Sequence, residues 1–213
     1  MGMVACMTDP FRVFYYLRVE RKNSYICLFS IPSFFLLPVP ISFRNSMPAR
    51  ILVAYVSPKG STAGIAEAIG RELQSAGYRV DVIELKSVRS LAEYRAVVIG
   101  GPFYMGKIAG DITQFVGKYR ETLIKMPVAV FAVGVAPVNA TPADIEKARA
   151  ILHKSVEPIV PVAEALFSGK IDPDKLSFIQ KRMVSMVKAP VGDFRDWDAI
   201  ASWARDLPAR FGI

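Results

Sequence analysis

A chain of 213 residues, 52% hydrophobic and 22% charged, has a globular composition and enough length to bury one substantial core, so one domain is the default. Its two cysteines, Cys6 and Cys27, both lie in the first 46 residues and its one histidine is His153, which excludes disulfides, zinc-thiolate sites and a cysteine nucleophile from residues 47–213 and argues against Ser-His-Asp chemistry and histidine-rich metal sites. The formal charge is +8, with 22 basic against 17 acidic side chains in residues 47–213. That excess favours an anionic partner, but the basic residues are interspersed with acidic ones and no nucleic-acid motif is present, so nucleic acid is not expected.

Residues 1–46 differ in composition from the rest of the chain. Tyr25 to Phe43 is nineteen residues without a charge, bracketed by Arg21-Lys22 and Arg44, which approaches the length of a membrane span. Pro32, Pro38 and Pro40 interrupt it, each removing a backbone donor that a helix in lipid has few ways to replace. A signal peptide fits poorly, because the apolar region comes late and no clear small-x-small cleavage site comes after it. Met47 stands three residues before Arg50, where the first core strand begins. Residues 1–46 are therefore expected to be an apolar extension upstream of a start site, disordered or loosely attached, in preference to a membrane anchor, and residues 47–213 to be the domain.

Arg50 to Val56 has the length and β-branched content of a parallel strand covered on both faces. It runs into Ser57-Pro58-Lys59-Gly60-Ser61-Thr62 and then into a helix whose Ile65, Ile69 and Leu73 recur at helical spacing. Where such a strand meets such a helix, the unpaired N–H groups of the first turn make an anion site at the carboxyl edge of the sheet. Here the turn adds three hydroxyls and the Lys59 ammonium, a set suited to phosphate. Neither the dinucleotide-binding glycine turn nor a Walker A loop is satisfied by residues 57–62. A well-capped helix start with no ligand is the alternative, since Ser and Thr favour that position in any case.

Gly77 stops this helix, and Tyr78 to Leu85 alternates as a strand with one polar face, suited to a place near the sheet edge. Ala96 to Gly101 is a wholly apolar third strand. Pro102-Phe103-Tyr104-Met105-Gly106-Lys107 forms the next loop, succeeded by an amphipathic helix from about Gly110 to Leu123. Gly101 to Lys107 spells Gly-x-x-x-x-Gly-Lys, but Ile108 replaces the magnesium-binding hydroxyl and Pro-Phe-Tyr is too bulky for a phosphate nest. Val128 to Val133 is the fourth strand, ending at Gly134, with Val135 to Asn139 as its loop. Thr141-Pro142-Ala143-Asp144 then opens a helix with an N-cap, a proline at the first position and an acid in the first turn; Ile145, Ala148 and Leu152 form its core face and His153 a surface position.

Val160 to Phe167 is the predicted fifth strand. Asp172-Pro173-Asp174 opens a further helix in which Leu176, Ile179, Met183, Met186 and Val187 share one arc, flanked by Lys175, Lys181, Arg182 and Lys188. Such a basic amphipathic helix suits a membrane surface or an anionic apolar ligand, and equally an ordinary helix covering the sheet. Trp197, Ile200, Ala204, Leu207 and Phe211 make the stripe of a closing helix, with structural roles expected for Trp197 and Trp203.

A strand leading into Ser-x-Lys-Gly-Ser-Thr resembles the FMN-phosphate loop of flavodoxin-like proteins, whose usual form is Thr/Ser-x-Thr-Gly-x-Thr; Lys59 stands where the family often has a hydroxyl residue. Over residues 48–213 the order of elements is similar to a flavodoxin domain. The resemblance implies an α/β fold: a flavodoxin-like, doubly wound, five-stranded parallel sheet of order 2-1-3-4-5 with helices on both faces. In that order the crevice beside the first strand collects the loops after strands one, three and four. The resemblance further implies FMN as cofactor, bound by Ser57, Lys59, Gly60, Ser61 and Thr62 and by Gly101, Pro102, Phe103, Tyr104, Met105, Gly106, Gly134 and Val135. Phe103 or Tyr104 is expected against the isoalloxazine, with inward packing as the alternative for this pair. Residues 134–139 contain no second aromatic to cover the other ring face. No catalytic side chain and no metal ligand is singled out.

The basic balance and the basic, apolar sequence after the fifth strand are similar to the flavodoxin-type, quinone-dependent protoporphyrinogen IX dehydrogenase family, although the insert lacks dense Tyr-Arg content. Members use FMN to pass electrons from the porphyrinogen to a membrane quinone. This resemblance implies an FMN-dependent oxidoreductase, cytoplasmic and peripheral to the membrane, with a quinone or anionic small-molecule substrate and membrane contact through residues 172–190. The alternative is a flavodoxin-type electron carrier that docks to a redox protein. The basic charge, the absent second aromatic and the insert favour the enzyme.

Overall fold

The computed structural model describes residues 3–9, 12–19, 24–32, 49–104, 106–134, 141–171 and 192–213. Residues 1–45 and 46–213 are two compact units. In the first, β1 (Met3–Asp9), β2 (Arg12–Val19) and β3 (Ser24–Pro32) form an antiparallel sheet in that order, with register shifts between Met7 and Asp9 and between Tyr15 and Tyr16. The sequence reading expects a disordered or loosely attached extension here; the strands coincide with runs rich in β-branched and aromatic residues, Val13-Phe14-Tyr15-Tyr16 and Tyr25-Ile26-Cys27 among them, that favour a pleated sheet.

The second unit is built on strands with hydrocarbon on both faces. β4 (Arg50–Tyr55), β6 (Ala96–Tyr104) and β8 (Val128–Gly134) lie in the interior of a sheet whose edges are β5 (Arg79–Glu84) and β9 (Ala163–Ser168). The spatial order is β5-β4-β6-β8-β9, all pairs parallel, which is the expected 2-1-3-4-5. β7 (Lys107–Ile108) turns back antiparallel on the end of β6. Successive side chains of a strand point to opposite faces, and the burial matches that alternation. Ile51, Val53, Val98 and Phe131 face α1 (Ser61–Ser75) and the last helix, α4 (Trp197–Phe211). Leu52, Ala54, Ile99 and Val130 face α2 (Gly110–Leu123) and α3 (Pro142–Val156). β5 alternates as expected of an edge strand, with Val80 and Val82 against the α1 layer and Ile83 against the other.

The start of α3 is as its sequence suggests: Thr141 caps the helix by accepting from the Asp144 N–H, while the Asp144 carboxylate accepts from the Thr141 N–H, a reciprocal capping box with Pro142 behind it. The Thr141 hydroxyl, which donates to the Asp144 carboxylate at 2.7 Å, and then the Thr141 N–H hold that carboxyl below its ordinary range. His153 is exposed on α3 and contacts Glu164, which also pairs with Arg149 at 2.7 Å.

Two boundaries and the placement of one tryptophan differ from the sequence reading. β6 runs through both glycines to Tyr104, because Gly100 and Gly101 sit under Phe131 and Ile112, whose side chains fill the space a Cβ would need. The fifth strand begins at Ala163, leaving Val160 84% and Val162 39% exposed before it. Trp197 stands outside the stripe of α4, 43% exposed with the Arg195 guanidinium 4.4 Å from its ring centroid, whereas Trp203 packs edge-on to Phe131 and Phe167. The helix expected over 172–190 lies outside the described residues. The chain enters and leaves that segment through a two-stranded antiparallel ribbon, β10 (Lys170–Ile171) with β11 (Gly192–Asp193). No helix among the described residues is long and apolar enough to cross a membrane.

Candidate cofactor-binding cleft

β4 leaves the sheet at Val56, whose N–H donates to the Gly100 carbonyl at 3.0 Å, so the first loop departs directly beside β6. Gly60 then takes φ +86°, a left-handed conformation in which a side chain is strained, and hands the chain to α1 at Ser61. The Gly64 N–H donates to the Gly60 carbonyl at 3.2 Å, which leaves the N–H groups of Ser61, Thr62 and Ala63 ahead of the helix's own ladder. Ala63 donates to Ser57 Oγ at 3.0 Å. The other two open toward the carboxyl edge, where the macrodipole of a 15-residue helix favours negative charge. Thr62 is buried, Ser57 and Ser61 are half-buried, and Lys59 and Gly60 are exposed. A hydroxyl that accepts one hydrogen bond keeps its own hydrogen to donate.

The loop after β6 separates its two aromatics. Phe103 is half-buried against the α2 and α3 layer, the inward of the two positions considered for it, whereas Tyr104 is 46% exposed. Tyr104 pairs with Lys107 across a tight hairpin whose Gly106 has φ +72°. This hairpin explains why Gly101 to Lys107 is not a phosphate loop despite its spelling: its first four residues belong to a strand. The third loop meets the fourth at Gly134. A Cβ on Gly134 would stand 2.9 Å from the Phe103 carbonyl oxygen, so only glycine permits the approach. Gly101 is buried and Pro102 half-buried at the same edge. Ser57, Lys59, Gly60, Ser61, Thr62, Gly101, Pro102, Phe103, Tyr104, Gly106 and Gly134 thus all stand at the carboxyl edge, on the strand ends, the turns or the start of α1, though the Phe103 ring turns to the core. Met105 and Val135 lie outside the described residues.

A contribution that sequence reasoning missed comes from the chain after β9. Gly169 donates its N–H to the Gly134 carbonyl at 3.1 Å, and Lys170 donates its N–H to Ser61 Oγ at 2.9 Å. The start of the β10–β11 ribbon is therefore fastened to both the first and the fourth loop. Just beyond the returning strand, Arg195 Nε donates to Asp193 Oδ1 at 2.8 Å and Nη2 to Asp193 Oδ2, while Nη1 fills the space a Cβ on Gly64 would need. This pairing lowers the Asp193 carboxyl below its ordinary range and raises Arg195. The available signal was Gly169 directly after a strand; the partners it meets are 35 and 108 residues away in sequence and have no local signature.

A cavity of 230 Å³ opens on the other side of the first loop, between Ser57-Pro58, Glu84 to Lys86 and Asp111. Lys86 and Asp111 pair at 3.4 Å on its wall. Its lining shares Ser57 with the edge where the three loops converge but includes nothing from residues 101–104 or Gly134. Among the described residues, no group of three or more His, Cys, Asp or Glu is placed to hold a metal ion.

A parallel sheet of this order, with a hydroxyl-rich turn between its first strand and helix, defines a flavodoxin-like α/β protein. The chain belongs to the flavodoxin domain family, whose family model matches residues 52–198. It is similar to the protoporphyrinogen IX dehydrogenase [quinone] of Leishmania major, 23% identical over 182 residues that cover 77% of each chain. Among solved structures it is similar to a flavodoxin from the domain Archaea, at 20% identity and TM-score 0.45 over 77% of this chain and 99% of that one. It is also similar to a flavoprotein of Lactobacillus acidophilus NCFM solved in complex with FMN, at 14% identity and TM-score 0.44 over 56% of this chain and 93% of that one.

Proposed function

We propose that the chain is an FMN-dependent oxidoreductase that takes electrons from a bulky, anionic reduced substrate of the porphyrinogen class and delivers them to a quinone. The observation that carries the cofactor is the turn from Ser57 to Thr62, with a left-handed Gly60, first-turn N–H groups of α1 aimed at the carboxyl edge, and hydroxyls at 57 and 61. A phosphomonoester dianion asks for this donor set, and one such site without a second glycine turn suits FMN rather than FAD. When bound, FMN supplies reversible electron exchange that no side chain of this chain can.

The chain's own residues do the rest. Ser57, Ser61 and Thr62 bind and orient the phosphate end, with Lys59 adding charge. Tyr104, exposed beside Gly101 and Pro102, offers its face to the flat ring system, and the contact of Gly134 with Phe103 fixes the distance between the two loops that border it. The substrate class is supported by the matched dehydrogenase and by the chain's basic excess, which attracts carboxylates. Work in the cytoplasm against a membrane quinone, with residues 172–190 touching the lipid surface, belongs to the same reading.

The test is to purify the full chain, identify the bound flavin, and track oxidation of protoporphyrinogen with and without a quinone. FMN at one per chain and quinone-dependent turnover are expected. Stoichiometric FMN without turnover of any quinone would make the chain an electron carrier for a redox protein, and absence of flavin binding would remove both readings.

A further inference from the structure

Ser61 touches two things at once. It is the first residue of α1, within the phosphate-binding turn, and its Oγ accepts the Lys170 N–H at 2.9 Å from the first strand of the β10–β11 ribbon. Gly169 presses into the same contact, its Cα so placed that a Cβ would stand 3.3 Å from Ser61 Oγ and 3.2 Å from Val133 Cγ1. The ribbon then closes on itself: Phe194 donates its N–H to the Gly169 carbonyl at 3.1 Å, and Asp193 pairs across from Lys170. Arg195 locks the returning strand against Gly64, one helical turn beyond Ser61.

A hydroxyl that accepts from one side is set to donate to the other, and each bond in such a chain polarises the next. We infer that Ser61 is a positioning residue linking occupancy of the phosphate subsite to the β10–β11 ribbon: a phosphate that accepts the Ser61 hydroxyl hydrogen strengthens the Lys170 N–H bond and holds the ribbon closed. This inference rests on the FMN reading of the cleft and adds to it a regulatory output, the ribbon through which the chain enters and leaves residues 172–191. The link is reciprocal, since whatever makes the ribbon more stable when phosphate is bound must make phosphate bind more tightly when the ribbon is intact.

The experiment compares the full chain without flavin, with saturating FMN and with saturating riboflavin, which presents the same ring without the phosphate, and reads amide hydrogen exchange at Gly169, Lys170 and Phe194. FMN should slow exchange at Lys170 about tenfold or more relative to riboflavin, a size within the usual range of coupling between sites. Ser61→Ala, studied at FMN concentrations that saturate its weakened site, should lose that difference. From the other direction, Lys170→Pro removes the donor N–H and should weaken FMN several-fold relative to Lys170→Ala, while both variants bind riboflavin alike; thermal melts check that both are folded. FMN bound by the parent with equal Lys170 exchange in FMN and riboflavin overturns the link and leaves the cofactor reading standing. Equal FMN affinity in folded Lys170→Pro and Lys170→Ala overturns it as well. No FMN binding by the parent, measured separately by fluorescence titration, overturns the cofactor reading and the link with it.

Discussion

The two ends of β4 place polar groups to opposite purposes. At the amino end, Arg50 Nε donates to Asp81 at 2.8 Å, Nη1 contacts Glu93, and the Tyr94 hydroxyl donates to the same Asp81 carboxylate at 2.8 Å while its ring lies 5.4 Å from the guanidinium. Arg50, Asp81 and Glu93 thus each meet a partner of opposite charge. At the carboxyl end, uncharged Ser57 and Ser61 each accept one backbone N–H and keep a hydrogen to give, beside a helix start whose N–H groups face outward. Concentration of charge therefore does not mark the site. The mutually satisfied cluster holds the strand in place, and the hydroxyl turn, with a net deficit of acceptors, is the end suited to an anion.

The sharpest break between the ends is the triple variant Ser57→Ala, Ser61→Ala, Thr62→Ala. Three hydrogen bonds to a charged phosphate, each worth about 1.5–3 kcal/mol, would go, so FMN affinity should fall by at least about a thousandfold in a fluorescence titration. The accompanying loss of stability should be smaller, about 1 kcal/mol for each of the hydrogen bonds that Ser57 accepts from Ala63 and Ser61 from Lys170, together with whatever Thr62 packing contributes. A variant that keeps parental FMN affinity would end the assignment of the cleft.

The neighbouring aromatics of the third loop divide along the same line. Phe103→Ala opens space against the α2 and α3 layer and should cost about 2–3 kcal/mol of stability, at the low end for a phenylalanine because the side chain is half-buried. Tyr104→Ala should leave the melting curve alone and weaken FMN by about 1 kcal/mol, roughly fivefold in Kd. Equal effects of the two variants on stability and on FMN would contradict the orientation of the loop.

At the amino end the smaller test is Tyr94→Phe. Burial, and then the hydrogen bond to Asp81, push the Tyr94 phenol up to about 12 from an ordinary 10.0. The neutral phenol thus contributes stability that is fully present below pH 10 and lost as pH rises through about 12. Near neutrality the variant should be about 1 kcal/mol less stable in urea, with unchanged FMN affinity, and the gap to the parent should close as the phenol ionises.

How much of this was legible in sequence depends on how local the cause is. The central strands, the first loop, the capped start at Thr141 and the span of α2 were readable, because each is written in a run of neighbouring residues: an apolar strand, a hydroxyl turn, a Thr-Pro-Ala-Asp cap; the order of the sheet followed from the resemblance that the first loop carries. Phe103 and Tyr104 could not be told apart, since the core that Phe103 packs against and the Gly134 that lies over it, 31 residues on, are distant in sequence. The bond from Lys170 to Ser61 spans 109 residues and gave no signal at all. Trp197 fits an apolar helical stripe by spacing, but its place is set by Arg195, whose guanidinium covers it from the preceding loop. The three strands within residues 3–32 were not expected, because residues 1–46 were set apart from the domain by their composition and expected as a disordered or loosely attached extension.

The smallest expected effect asks whether an ion pair near the carboxyl edge behaves like the network at the amino end. Arg195 holds the Asp193 carboxyl below its ordinary 3.8, chiefly through their hydrogen bonds and against the cost of burial. A carboxylate with a depressed pKa adds stability that is present above the unfolded value and disappears as pH falls through the folded one. Asp193 is 39% exposed at its side chain, so solvent screens the pair and the contribution near neutrality should be about 0.5 kcal/mol, as for other surface ion pairs. Asp193→Asn should therefore melt slightly below the parent at pH 6, with the two converging as pH drops below 3.8. Arg195 would also be freed to leave the Trp197 face, a change that tryptophan fluorescence in a Trp203→Phe background can detect. If the gap between variant and parent persists unchanged at pH 3, the pair is not what lowers this carboxyl, and the ribbon's returning strand is held by the packing of Arg195 over Gly64 instead.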